Sequence, residues 1–298
     1  MGRLRALLSG PPAHAGATLP LGIAAMSLLW APNFGGASGL RTAAALATCA
    51  YLCVVAHEAA HAAVAALVGL APRRMAINAA GGVTEYAPAL RPGQEAAVVA
   101  AGPAVNAAVG AGCLLWAHVG APPLVGPLAV INLLLAAFNL LPGLPLDGGR
   151  LLAAAVWRLS GSFYTGQAVA GRAGQVVGAA VVMAPFCTVA LGAPADVLDF
   201  VLCTVVGAVL MASASVAHAS ARRGLLVGDL CAGDVCVPGD APGPALDAGA
   251  EYRLVVDALD CSPADTVGVV VGGEKLGVVT RDSLEQGVRV RVGDGAGV

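Results

Sequence analysis

The 298-residue chain is 58% hydrophobic and only 11% charged, where an ordinary soluble domain is roughly a quarter charged. Its mean hydropathy of +0.80 excludes an ordinary water-soluble globular protein, because apolar surface on this scale needs a bilayer as its solvent. A net charge of −2, with the 16 basic residues sitting mainly at the ends of apolar runs rather than in one patch, gives no sign of nucleic-acid binding, and none is expected.

Six spans are predicted, at 17–34, 42–68, 95–118, 124–141, 167–191 and 197–219, since a helix needs about 20 apolar residues to cross the hydrocarbon core. The first is read as a span rather than a cleaved leader. Arg3 and Arg5 do precede it, but the apolar run starts only near Thr18 and no convincing cleavage site follows. With a cytoplasmic N-terminus, Arg73, Arg74, Arg91, Arg150, Arg158, Arg172, Arg222 and Arg223 join Arg3 and Arg5 on the cytoplasmic side. Only Arg41 stands opposite them, and Asp196 and Asp199 occupy the far-side turn before the sixth span. This bias predicts a multi-pass protein of the cell membrane with both termini inside. Five of the eight cysteines lie within apolar runs and no CxxC pair occurs, so free buried thiols are expected rather than a disulfide or metal framework.

The second span contains His57-Glu58-Ala59-Ala60-His61. At 3.6 residues per turn the two histidines project from one face, about one turn apart, where both imidazoles reach one metal ion. Glu58 is placed to activate a water at that metal, as general base rather than ligand. The same motif decorates solvated helices by chance, but three ionisable side chains in an apolar helix cost several kcal/mol together, which makes a functional site the default reading.

Between the second and third spans, Met75 to Tyr86 carries Gly81-Gly82 among β-compatible residues. It reads as a short hairpin or re-entrant loop, and an ordinary surface loop is the competing reading. A hydrolytic zinc site commonly takes three protein ligands, and the best third candidate is Asp147, in Leu144-Pro-Leu-Asp147-Gly-Gly-Arg150 just past the fourth span. The N-cap of a helix from Gly148 to about Leu159 is the other role open to it.

Together, HEAAH and LPLDGGR resemble the site-2 protease family of intramembrane zinc metalloproteases, in the same order and with comparable spacing, over about residues 20–220. The resemblance implies one zinc ion per chain on His57, His61 and Asp147, with Glu58 as catalytic base. It matches Gly81-Gly82 to that family's re-entrant element, the candidate β edge for an unwound substrate, and Gly102-Pro-Ala-Val-Asn106 to its GPxxN element. Asn106 would then shape the site or support an oxyanion; an interhelical hydrogen bond is the plainer alternative.

The expected activity is Glu-activated hydrolysis of peptide bonds in membrane-spanning proteins, in regulated intramembrane proteolysis. The competing classes are a protease-like membrane scaffold and a divalent-ion transporter, although an ion path has no need of Glu58 beside His57.

After Arg223 the composition turns to Pro, Gly and Asp, then to alternating runs around Arg253–Leu259 and Val267–Thr280. Val267 to Leu284 resembles the latter half of a CBS module, which implies a homodimer through the tail and makes Thr280 and Asp282 nucleotide candidates. Here the Asp follows the Thr by two residues rather than the usual three. The expected fold is thus an all-α polytopic membrane protein of about six transmembrane helices with a short re-entrant β-hairpin, residues 1–223, carrying a small cytoplasmic α/β CBS-like appendage, residues 224–298.

Overall fold

The computed structural model of the protein describes residues 13–15, 18–35, 38–78, 81–227, 230–239, 245–262 and 265–295. Arg3, Arg5, Pro242 and Pro244 lie outside the described residues, as does the side chain of Cys261. The chain forms two compact units, Met1–Ser215 and Val216–Val298.

The first unit is a helical bundle with one small sheet. Strand β1 (Ala13–Ala15) precedes α1 (Leu19–Trp30), which runs into a 3-10 turn at Ala31–Phe34, and then α2 (Gly39–Leu67). Strands β2 (Pro72–Asn78) and β3 (Gly81–Tyr86) lead to α3 (Pro92–His118), α4 (Val125–Asn139), α5 (Asp147–Ser160), α6 (Phe163–Ala190) and α7 (Val197–Val227), whose residues from Val216 onward belong to the second unit. Six apolar helices therefore occupy the stretches expected to span. Of these, α2, α3, α6 and α7 are long and apolar enough to cross a membrane, while α1 with its 3-10 turn and α4 are shorter. The outward positions Val201, Val205 and Val209 of α7 are 51, 55 and 59% exposed, a continuous apolar stripe suited to lipid rather than water.

Packing inside the bundle relies on small residues, as expected where lipid supplies no hydrophobic drive for helices to associate. Gly178 on α6 and Gly207 on α7 face each other so closely that a Cβ on either would come within 2.6–2.8 Å of the other's carbonyl oxygen. Helix starts are set locally. Pro92 opens α3 and the Gln94 side chain reaches back to accept the Leu90 and Arg91 N–H groups, both at 3.1 Å. Ser162 caps α6 by accepting from Thr165 N at 3.2 Å, and α5 ends on Gly161 in the left-handed region.

The segment expected as a hairpin is one. β2 and β3 pair antiparallel from Pro72↔Tyr86 to Asn78↔Gly81, with a register shift between Pro72 and Arg74. β1 adds to β2 in parallel, giving the order β1-β2-β3. β3 is thus an edge strand of the described sheet.

The second unit builds a sheet of order β4-β5-β6 from β4 (Ala245–Asp247), β5 (Thr266–Val271) and β6 (Glu274–Thr280). β4 and β5 are parallel, and β5 and β6 form a hairpin. Gly272 and Gly273, at φ +59° and +90°, make its two-residue turn, where both positions need a backbone that other residues rarely adopt. A one-turn helix α8 (Ala232–Val235), α9 (Tyr252–Cys261) and α10 (Arg281–Gly295) complete the unit. Ala232, Val235, Val255, Leu259, Val267, Val269, Val279 and Leu284 form its buried core. The seven cysteines whose side chains are described are all free thiols.

Candidate metal centre

His57, Glu58 and His61 are all buried on α2, at 6, 6 and 5% exposure. The helical spacing turns the two rings edge to face, with centroids 4.7 Å apart. Asp147 comes from the other side, on the first residue of α5. Its Oδ2 lies 3.1 Å from His57 Nε2 and 3.3 Å from His61 Nε2, and the two Nε2 atoms are 3.1 Å apart. Adjacent donors of a tetrahedral zinc site with bonds of about 2.0–2.2 Å lie roughly 3.4 Å apart, so these three atoms nearly form one face of such a tetrahedron. His61 Nδ1 is 2.8 Å from the Val98 carbonyl. Donating there puts the His61 lone pair on Nε2, toward His57 Nε2 and Asp147 Oδ2, and this outer hydrogen bond is the kind that fixes a metal-ligating imidazole. The donor set therefore fits a divalent cation such as zinc.

Asp147 does not cap α5. Leu146 is the N-cap, no side-chain cap bond forms there, and Asp147 sits in the first turn with its carboxylate on the histidines. The Pro-Gly-Leu-Pro loop that presents it is held by backbone packing on α6. Leu144 N donates to Ala170 O at 3.1 Å, and a Cβ on Gly174 would lie 2.1 Å from Leu144 O.

Two glycines make room for the site. A Cβ at Gly102 would fall 2.4 Å from His57 Nε2 and 2.5 Å from His61 Nε2, so α3 passes the imidazoles with bare backbone. A Cβ at Gly82 would fall 2.3 Å from Glu58 Cγ. Gly81 is different: nothing lies near its missing Cβ, but its φ of +134° favours glycine. Asn106 follows Gly102 by one helical turn, is 1% exposed, and its Oδ1 has no hydrogen-bond partner among the described residues.

Several polar side chains around the site did not stand out in the sequence. Thr84 Oγ1 donates to Glu58 Oε2 at 2.6 Å. Arg150, three residues beyond Asp147, pairs with Glu95 at 2.8 Å, hydrogen-bonds Tyr86 and stacks its guanidinium on that ring at 5.1 Å. Asn132 on α4 is fully buried, with its Nδ2 donating to Leu128 O at 2.9 Å. The signal for Thr84 and Tyr86 was the period of two from Gly82 along a strand, and for Arg150 the i+3 step from Asp147 on a helix. Thr280 and Asp282 belong to the second unit, at the start of α10, where Thr280 Oγ1 accepts the Ser283 N–H at 3.0 Å and Asp282 is exposed.

Comparison with known proteins shows what the chain is similar to. Residues 116–185 match the model of Peptidase family M50. A putative zinc metalloprotease of Synechocystis sp. is 38% identical over 131 residues, 42% of this chain and 35% of that protein. The putative zinc metalloprotease Rip3 of Mycobacterium tuberculosis is 41% identical over 133 residues, 42% of this chain and 34% of that protein. The matched stretch is thus about a third of each relative's length. A site-2 protease from Methanocaldococcus jannaschii shares the fold, with a TM-score of 0.53 at 22% identity over 70% of this chain and 91% of that one.

Proposed function

We propose that this chain is an intramembrane zinc metalloprotease of the site-2 kind, cleaving peptide bonds in membrane-spanning protein substrates. The observation that carries the reading is the buried triad of donors, His57, His61 and Asp147, with Glu58 beside it inside an apolar bundle. Zinc held by these three residues would supply Lewis acidity toward a scissile carbonyl and a water. Glu58 takes the proton of the attacking water and returns it to the leaving amine. Asn106, with an unpartnered oxygen in the same helical row as Gly102, shapes the site and gives its amide N–H to developing negative charge on the substrate carbonyl.

A helical substrate must unwind before cleavage, and the free edge of β3 offers backbone partners for an extended segment. Beside Gly81 opens an apolar cavity of about 530 Å³, lined by Met26, Trp30, Tyr51 and Leu134 among others, which suits the apolar side chains of a membrane-spanning substrate. The protein then lies multi-pass in the cell membrane with both termini cytoplasmic, and we place the boundary between protease and appendage at residues 223 and 224, after the basic pair Arg222-Arg223 and a little beyond Ser215, where the compact units divide. We read the appendage as a CBS-like folding or dimerisation module rather than a nucleotide sensor, because the Thr280 hydroxyl is engaged in capping α10.

The test is cleavage of a panel of tagged single-span proteins by purified wild type and Glu58→Gln in lipid vesicles, with zinc counted in both. Cleavage by wild type only, with about one zinc per chain in each sample, is the expected result. Zinc without cleavage would favour a scaffold, and protein that binds no zinc would end the proposal.

A further inference from the structure

Along β3, side chains alternate between the two faces of the sheet, and one face is committed to the site. Gly82 leaves space for the Glu58 stem, Thr84 touches its carboxylate, and Tyr86 hydrogen-bonds Glu95 Oε2 at 3.3 Å as well as Arg150. Val83, on the opposite face, is 53% exposed. The edge strand proposed to receive substrate is therefore also in contact with the proposed base.

A glutamate side chain has three rotatable bonds, and Gly82 removes the wall that would otherwise confine the stem of Glu58. Its carboxylate needs a tether to hold one direction. The Thr84 hydroxyl lies 2.6 Å from Glu58 Oε2 and 3.1 Å from the Glu58 backbone carbonyl. It has one hydrogen to give, and the shorter contact, to a carboxylate oxygen, is the stronger of the two.

We propose that Thr84 is a positioning residue for Glu58, a hydroxyl on the inner face of the docking strand that aims the carboxylate of the base. The assignment rests on the protease reading given above. It adds that base alignment depends on β3 being in place, so the strand that holds the substrate also sets the group that acts on it. The Thr84 side chain reaches Glu58 and acts through that carboxylate.

The experiment uses the full chain in lipid vesicles, with the single-span protein from the panel that wild type cleaves, and compares Thr84→Val with Thr84→Ser. Valine keeps the branched shape and removes the hydroxyl; serine keeps the hydroxyl and removes the methyl. Thr84→Val should lower kcat about 10- to 100-fold, with KM and zinc content unchanged, and Thr84→Ser should remain within about threefold of wild type. A second readout needs no turnover. Thr84→Val should lower the thermal midpoint of wild type, and lower that of Glu58→Ala by less than half as much, because the partner is already gone.

Wild-type rates in Thr84→Val, equal losses in Val and Ser, or equal thermal shifts in both backgrounds would overturn the proposal while leaving the protease reading intact. Zinc-loaded wild type that cleaves no panel member would count against the protease reading itself, and the Thr84 assignment would fall with it.

Discussion

Substituting Gly102 by alanine separates metal binding from folding. In an ordinary helix interior that change stabilises by about 1 kcal/mol, because alanine is the better helix former. Here the new Cβ would sit 2.4 Å from His57 Nε2, 2.5 Å from His61 Nε2 and 2.6 Å from His57 Cδ2. Ordinary contact is about 3.5 Å, so α3 and the imidazoles must separate by about 1 Å. That is roughly five times the tolerance of about 0.2 Å in a metal–ligand distance. Zinc affinity should therefore fall about 100-fold or more, with helix content and the thermal midpoint of metal-free protein close to wild type. Competition against a chromophoric chelator measures the first, and circular dichroism the second. Gly102→Ala that binds zinc within about threefold of wild-type affinity would refute the placement of α3 against the histidines.

Other perturbations probe different supports of the site. Gly82→Ala places a Cβ 2.3 Å from Glu58 Cγ and should abolish cleavage while leaving zinc stoichiometry intact, read by metal analysis beside the vesicle assay. Arg150→Met leaves Glu95, whose side chain is 10% exposed, without its cation. About 2 kcal/mol should be lost, a fall of roughly 4–8 °C in the thermal midpoint of a unit this size, and the milder Glu95→Gln should lose less. Gly174→Ala meets Leu144 O at 2.1 Å and should weaken zinc binding from a position far along the chain, by moving the loop that presents Asp147. Removal of zinc with a strong chelator should stop cleavage and re-addition restore it, with little change in helix content, because α2, α3 and α5 pack through other contacts as well, including the Arg150–Glu95 pair.

The arrangement around Asp147 shows how far local pattern reaches. A residue type and a preceding proline loop suggested two roles, metal ligand or helix cap. Only the position of α5 against α2 decided between them, with Leu146 at the cap and the carboxylate on the histidines. The pairing of His57 with His61 needed no tertiary information, because a helix fixes the i, i+4 relation by its own geometry. The hairpin was legible for the same kind of reason, since Gly81-Gly82 among β-compatible residues is a local turn signal.

Sequence by itself thus determined the solvent of the protein, its apolar helices, the paired histidines on one helical face with their neighbouring glutamate, and the hairpin, all of which follow from composition or from spacing within one element. Tertiary structure alone decided that Gly102 backs the histidines, that Gly82 and Thr84 hold Glu58, and that Arg150 joins Glu95 and Tyr86. Those contacts join residues from 24 to 64 positions apart. No helical or strand period relates positions on different elements; their meeting depends on how close the backbones approach, and that distance is set by packing across the whole bundle.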